Sequence, residues 1–68
     1  MNSDLNAAGK INVAAASFHN LALAYRAEGK NREAEENYRQ AIDLQPDYAE
    51  AHYNLAVLLQ EVERSSES

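Results

Sequence analysis

The 68-residue chain has no cysteine and no threonine, and only one proline and two glycines. Without cysteine there is no disulfide framework, no thiolate metal site and no cysteine nucleophile. The β-branched residues number five (Ile11, Val13, Ile42, Val57 and Val62), too few for an all-β protein. Scarce glycine and proline leave few turns. The longest apolar runs, Leu21–Tyr25 and Leu55–Leu59, fall far short of the roughly 20 residues a membrane-spanning helix needs. The start, Met1-Asn2-Ser3-Asp4-Leu5, lacks the basic region and apolar core of a secretory signal. A soluble, cytoplasmic protein with no membrane partner is expected. Positive charge is also short: six Lys/Arg face eleven Asp/Glu, for a net charge of −5. The cations are scattered, and Lys30, Arg32 and Arg39 are interleaved with Glu33, Glu35 and Glu36, so nucleic acid is not an expected partner.

What is present is alanine. Of the 46% apolar residues, 13 are Ala, leaving 14 large aliphatic, Phe or Met side chains and four Tyr. A chain this small with so little large apolar surface forms one domain with a marginal core.

Three helical stretches separate at two breaks. The first runs to Gly29, placed where a left-handed residue ends a helix. The second spans about Asn31 to Leu44, with Asn31 as the expected N-cap and Glu33, Glu35 and Glu36 near the positive end of the dipole. Pro46 closes it and biases Gln45 toward extended conformations. The third spans about Tyr48 to Val62, with Asp47 and Glu50 spaced as in a capping box. Phe18, Leu21, Ala22 and Tyr25 recur at i, i+3, i+4 and i+7, Ala34, Tyr38, Ala41 and Ile42 at i, i+4, i+7 and i+8, and His52, Leu55, Ala56 and Leu59 repeat the first pattern. Arg32–Glu36, Glu35–Arg39 and Arg39–Asp43 are expected i,i+4 ion pairs on the outer face of the second helix. Residues 1–14 read as a leader, either partly disordered or an extension of the first helix, and residues 63–68 as a disordered tail.

Sliding the chain on itself by 34 positions aligns Ala15–Glu28 with Ala49–Val62. Ala15 meets Ala49, and Asn20-Leu21-Ala22 meets Asn54-Leu55-Ala56. In this phase Phe18-x2-Leu21-Ala22-x2-Tyr25, Ala34-x3-Tyr38, Ala41 and Pro46 match the spacing of the tetratricopeptide repeat (TPR), which this chain resembles over residues 15–62. His52 departs from the family pattern, where a large apolar residue is usual, and Leu59 replaces a tyrosine. The length is twice 34, yet Ala34 and Pro46 fix the phase at about one and a half repeats: a full repeat at 15–48 and the first helix of a second at 49–62. The resemblance implies an all-α fold, an antiparallel helical hairpin plus a third helix forming a piece of a right-handed superhelix. Phe18, Leu21, Ala22, Tyr25, Ala34, Tyr38, Ala41 and Pro46 are its repeat-defining core.

The resemblance further implies a non-catalytic module that holds a peptide or partner helix on a concave face. That face would present His19, Asn20, Leu23 and Arg26 from the first helix and Glu50, Tyr53, Asn54 and Val57 from the third. Clamping of a C-terminal carboxylate is disfavoured, because His19 and Leu23 stand where the family's clamp uses Lys and Asn, and Glu50 adds charge of the wrong sign. Metal and catalytic readings fail on spacing: no ligand lies three or four residues after His19 or His52, and Ser17 and His19 point to different helix faces. No cofactor motif is present.

About three repeats are normally needed to bury the apolar faces of such an array. The third helix would therefore leave Leu55, Leu58, Leu59 and Val62 uncovered. A homodimer packing these helices together is expected, the alternative being an oligomerisation or scaffold element, or a piece of a longer array, without a ligand of its own.

Overall fold

The computed structural model describes the backbone of residues 3–67 and the side chains of residues 9–64. The chain forms three helices, α1 (Ser3–Ala27), α2 (Asn31–Leu44) and α3 (Ala49–Glu67), with no strand among the described residues. The all-α architecture is the expected one: α1 and α2 form a hairpin, and α3 packs on α2.

The α1–α2 turn is closed by glycine. Gly29 sits at φ 82°. Its N–H donates to the Arg26 carbonyl at 3.0 Å, while the Lys30 N–H donates to that of Tyr25 at 2.9 Å. This pair of bonds is the Schellman motif, and it needs a residue without Cβ at the left-handed position. Asn31 is not the cap of α2 but its first helical residue. Lys30 holds the cap position, with no side-chain bond, and its carbonyl accepts from the Ala34 N–H. At the other end Gln45 is extended (φ −138°, ψ 86°) ahead of Pro46. The Asp47–Glu50 spacing does not make a cap either, since α3 starts one residue later and the Tyr48 carbonyl accepts from the His52 N–H at 3.1 Å. The departure at His52 has a local use: its Nε2–H donates to the Pro46 carbonyl at 2.7 Å, tying α3 back to the turn.

Two buried clusters hold the helices. One contains a single alanine from each helix, Ala15, Ala41 and Ala51, with Phe18, Ile42 and Tyr48 packed around it. The other joins Ala22, Ala34, Tyr38 and Leu58, flanked by Tyr25, Leu55 and Val62. Where only methyl groups intervene the backbones approach closely, and Tyr38 and Leu58 fill the wider space between them. The Tyr38 hydroxyl is buried near the Arg26 guanidinium.

The covered sides of α1 and α3 differ, which corrects two expectations. On α1 the stripe 15, 18, 22, 25 is buried or half-buried, and Ser17, Leu21, Ala24 and Glu28 are bare. Leu21, expected in the core, is 46% exposed. On α3 the pattern reverses: Ala51, Leu55, Leu58 and Val62 face the core, while Ala49, His52, Ala56 and Leu59 are bare. These sets are the α1 sets shifted by 34 residues. A repeat helix has one flank for its own partner helix and one for the preceding repeat. α1 has only the former neighbour and α3 only the latter. Hence Leu55, Leu58 and Val62, expected at a dimer interface, are taken up inside the chain, and of that set only Leu59 is exposed, at 37%.

Two further differences are local. α3 continues past Val62 to Glu67, where a disordered tail was expected; no glycine or proline follows Pro46, so nothing stops helix propagation. Ser68 lies outside the described residues. α1 runs from Ser3 through Gly9, so a helix occupies all of the leader except residues 1–2, which also lie outside. Of the three expected i,i+4 pairs, Glu35–Arg39 is formed, at 2.9 Å. Arg39 is thereby engaged with the glutamate on its N-terminal side, the better orientation along a helix.

Leu58→Ala removes the one large aliphatic side chain that is fully buried among the described residues, and is expected to cost about 2–5 kcal/mol, enough to abolish cooperative melting in a domain this small. Leu59→Ala, one position along, should cost less than about 1 kcal/mol. Circular dichroism melts of the two variants measure the contrast.

Candidate functional site

The seam between α1 and α3 is built on a fixed offset. His19 pairs with Asn54 and Arg26 with Glu61, each pair 35 residues apart. His19 and Arg26 are seven residues apart on α1, as are Asn54 and Glu61 on α3, so both pairs recur at two helical turns and form parallel rungs. The Asn54 amide Nδ2 donates to His19 Nε2 at 2.8 Å, which puts the ring proton on Nδ1. Arg26 meets Glu61 at 2.7 Å.

His19 is 5% exposed. Its ring lies between Tyr38, at 5.8 Å and 53°, and Tyr48, at 5.1 Å and 44°. The expectation that His19 offers a contact to a partner is therefore corrected: Tyr48 from the α2–α3 turn and Asn54 from α3 enclose it. Asn54 is half-buried and committed to His19. Arg26 is raised above its ordinary value chiefly by its hydrogen bond to Glu61, against the opposing effect of burial, with the Glu61 charge and the nearby Tyr38 adding to the rise. A raised pKa means a contribution fully present below the ordinary arginine value and lost only as pH climbs through the higher one. Salt, not pH, is thus the lever on this pair.

Of the eight residues expected on the concave face, His19, Asn54 and Arg26 hold the seam. Asn20, Leu23, Glu50 and Tyr53 are exposed and Val57 is half-buried. Leu23 lies between His19 and Arg26 along α1, and Val57 between Asn54 and Glu61 along α3. The two aliphatic side chains therefore follow the same seam line, with Tyr53, 70% exposed, one turn before Val57. The sequence reading missed Glu61 and Tyr48. Glu61 was discoverable as the acid one repeat plus one residue after Arg26; nothing local distinguishes Tyr48.

Among the described residues no group of three His, Cys, Asp or Glu side chains is arranged to hold a metal ion, and no helix is long and apolar enough to cross a membrane. His52 is engaged with Pro46.

A family model for the TPR repeat matches residues 22–62, and the chain belongs to the tetratricopeptide repeat family. The match contains the α1–α2 turn, all of α2 and most of α3. TPR repeats are in general protein–protein interaction modules and are typically non-catalytic. No curated protein and no solved structure matches the chain.

Asn54→Leu strands a buried ring nitrogen and is expected to cost about 1–3 kcal/mol. Arg26→Ala, which breaks the partly exposed pair, should cost less than about 1 kcal/mol, shrinking further in high salt. Urea denaturation at two ionic strengths separates the two rungs.

Proposed function

We propose that the chain is a non-catalytic docking module that holds a peptide or a helix of a partner protein along the α1–α3 seam, and that it works as a homodimer in the cytoplasm. In this reading residues 15–48 form one full repeat and residues 49–62 the first helix of a second. The observation that carries it is Tyr53, a large aromatic left 70% exposed one turn before Val57 on α3, next to Asn54 of a seam fixed by two polar rungs. Tyrosine supplies broad, rigid contact area with a polar tip, at little entropic cost to the binder. Asn20 and Glu50 add hydrogen-bonding groups at the rim.

A second reading, an oligomerisation or scaffold element without its own ligand, is favoured by the bare flank His52, Ala56 and Leu59. Covering that flank with a second chain accounts for the homodimer under either reading.

The double variant Leu23→Ala, Tyr53→Ala changes only side chains with exposed surface. It is expected to keep its helicity and its sedimentation behaviour while losing the proteins that the wild-type chain captures from its native cell. Retention of the same proteins at the same yield would remove the docking reading. Leu59→Glu is expected to dissociate the dimer and to leave the helices formed.

A further inference from the structure

The bare flank of α3 is not the only uncovered surface at its end of the bundle. Ala15 of α1 packs with Ala41 near the end of α2 and Ala51 near the start of α3. The part of α1 ahead of Ala15 therefore runs past the last turn of α2. Of its described side chains, those of residues 9–13 are exposed, with Ile11 at 43% and Val13 at 67%, and Ala14 is half-buried. At the same end, α2 and α3 leave a groove of about 360 Å³ lined by Arg39, Ile42, Asp43, His52 and Leu55.

We propose that the N-terminal arm of α1 in one copy of the chain lies in the α2–α3 groove of a second copy, and the second copy returns the contact. This deepens the homodimer reading above, on which it rests, by naming the occupant of the bare flank. Three observations select this arrangement over pairing of α3 with itself.

Charge is the first. α3 carries Glu50, Glu61, Glu63 and Glu67 against Arg64 alone, so two α3 helices side by side bring like charges together. α1 carries Asp4 near its start and no further acidic residue as far as Ala27, and its arm also carries Lys10, so it lacks the acidic excess of α3. The second is a matched pair of groups. Arg39 is engaged with Glu35, which leaves Asp43 at the groove without an ionic partner among the described residues, and Lys10 on the arm has none there either. Asp43 accepts what Lys10 donates. The third is symmetry and size. Arm and groove sit at the same end of each bundle, so a single two-fold axis places each arm in the other groove and makes the contact twice. Residues 3–14 span about 18 Å as a helix, against about 21 Å for the 14 residues of α2, so the arm is comparable in length to the helix that α3 already packs on. Val13, three residues after Lys10 and on the same face of the arm, then meets Ile42 and Leu55, and the arm gains the packing that a helix segment of this length lacks on its own.

Charge reversal tests the contact on surface positions that leave the fold intact. Sedimentation equilibrium of the full chain gives the dimer Kd for the wild type, Lys10→Glu, Asp43→Lys and the double reversal. Each single reversal is expected to weaken the dimer by about tenfold or more, since each is felt at two contacts, and the double reversal to restore it to within about threefold. A chain without native cysteine also allows a direct check. Lys10→Cys and Asp43→Cys chains, mixed and oxidised, should form a disulfide between unlike variants, whereas Leu59→Cys chains should not cross-link to one another. A wild-type dimer that ignores both reversals and cross-links through Leu59→Cys overturns this arrangement and leaves the dimer standing. A folded wild-type monomer at tens of micromolar overturns both.

Discussion

The contact of three alanines, Ala15, Ala41 and Ala51, one from each helix, governs how closely the backbones approach. Everything else in the structure depends on that spacing. With helices drawn together at this point, Tyr38, one turn back along α2, and Leu58, two turns on along α3, are of the right size to fill the wider gap, and Phe18, Ile42 and Tyr48 close the near end. A larger side chain at any of the three positions would wedge the helices apart at one end, and the second cluster would open. The abundance of alanine thus acts as a geometric specification rather than as a weak hydrophobic core.

The polar rungs of the seam depend on the same spacing. α1 and α3, each packed on α2, bring residue n of α1 opposite residue n + 35 of α3 at two levels, so a histidine meets an amide and, two turns on, the long side chains of an arginine and a glutamate meet. This uses up the groups that would otherwise recognise a charged ligand. Along the seam Leu23 and Tyr53 stay exposed and Val57 half-buried.

Much of this was readable in the sequence. Ala22, Tyr25, Ala34, Tyr38 and Ala41 were placed by helical period, Gly29 and Pro46 by backbone chemistry, and the family by their common phase. Leu21 and the α3 stripe depart from the periodic expectation for a definite reason. A repeat helix is apolar on two flanks, and periodicity reports that both exist without saying which one has a neighbour. Leu21 and Leu55 are the same residue in the same pattern, yet one is bare and the other packed. His19 was misjudged because its enclosure is assembled from Tyr48 and Asn54, 29 and 35 positions away. No local pattern carries that information. His52 looked like an imperfect apolar position, and its hydrogen bond to Pro46 became visible only once the turn was folded.

The glycine turn also bears on how the chain reaches this structure. Gly29 reverses direction within three residues, so α1 and α2 meet across the shortest loop available and need little closure entropy. The α1–α3 rungs require the 34 intervening residues to be ordered first. Contacts of this mostly local kind favour rapid folding with the hairpin as nucleus and α3 annealing onto it, so one left-handed glycine governs the route of folding as well as the shape of its product.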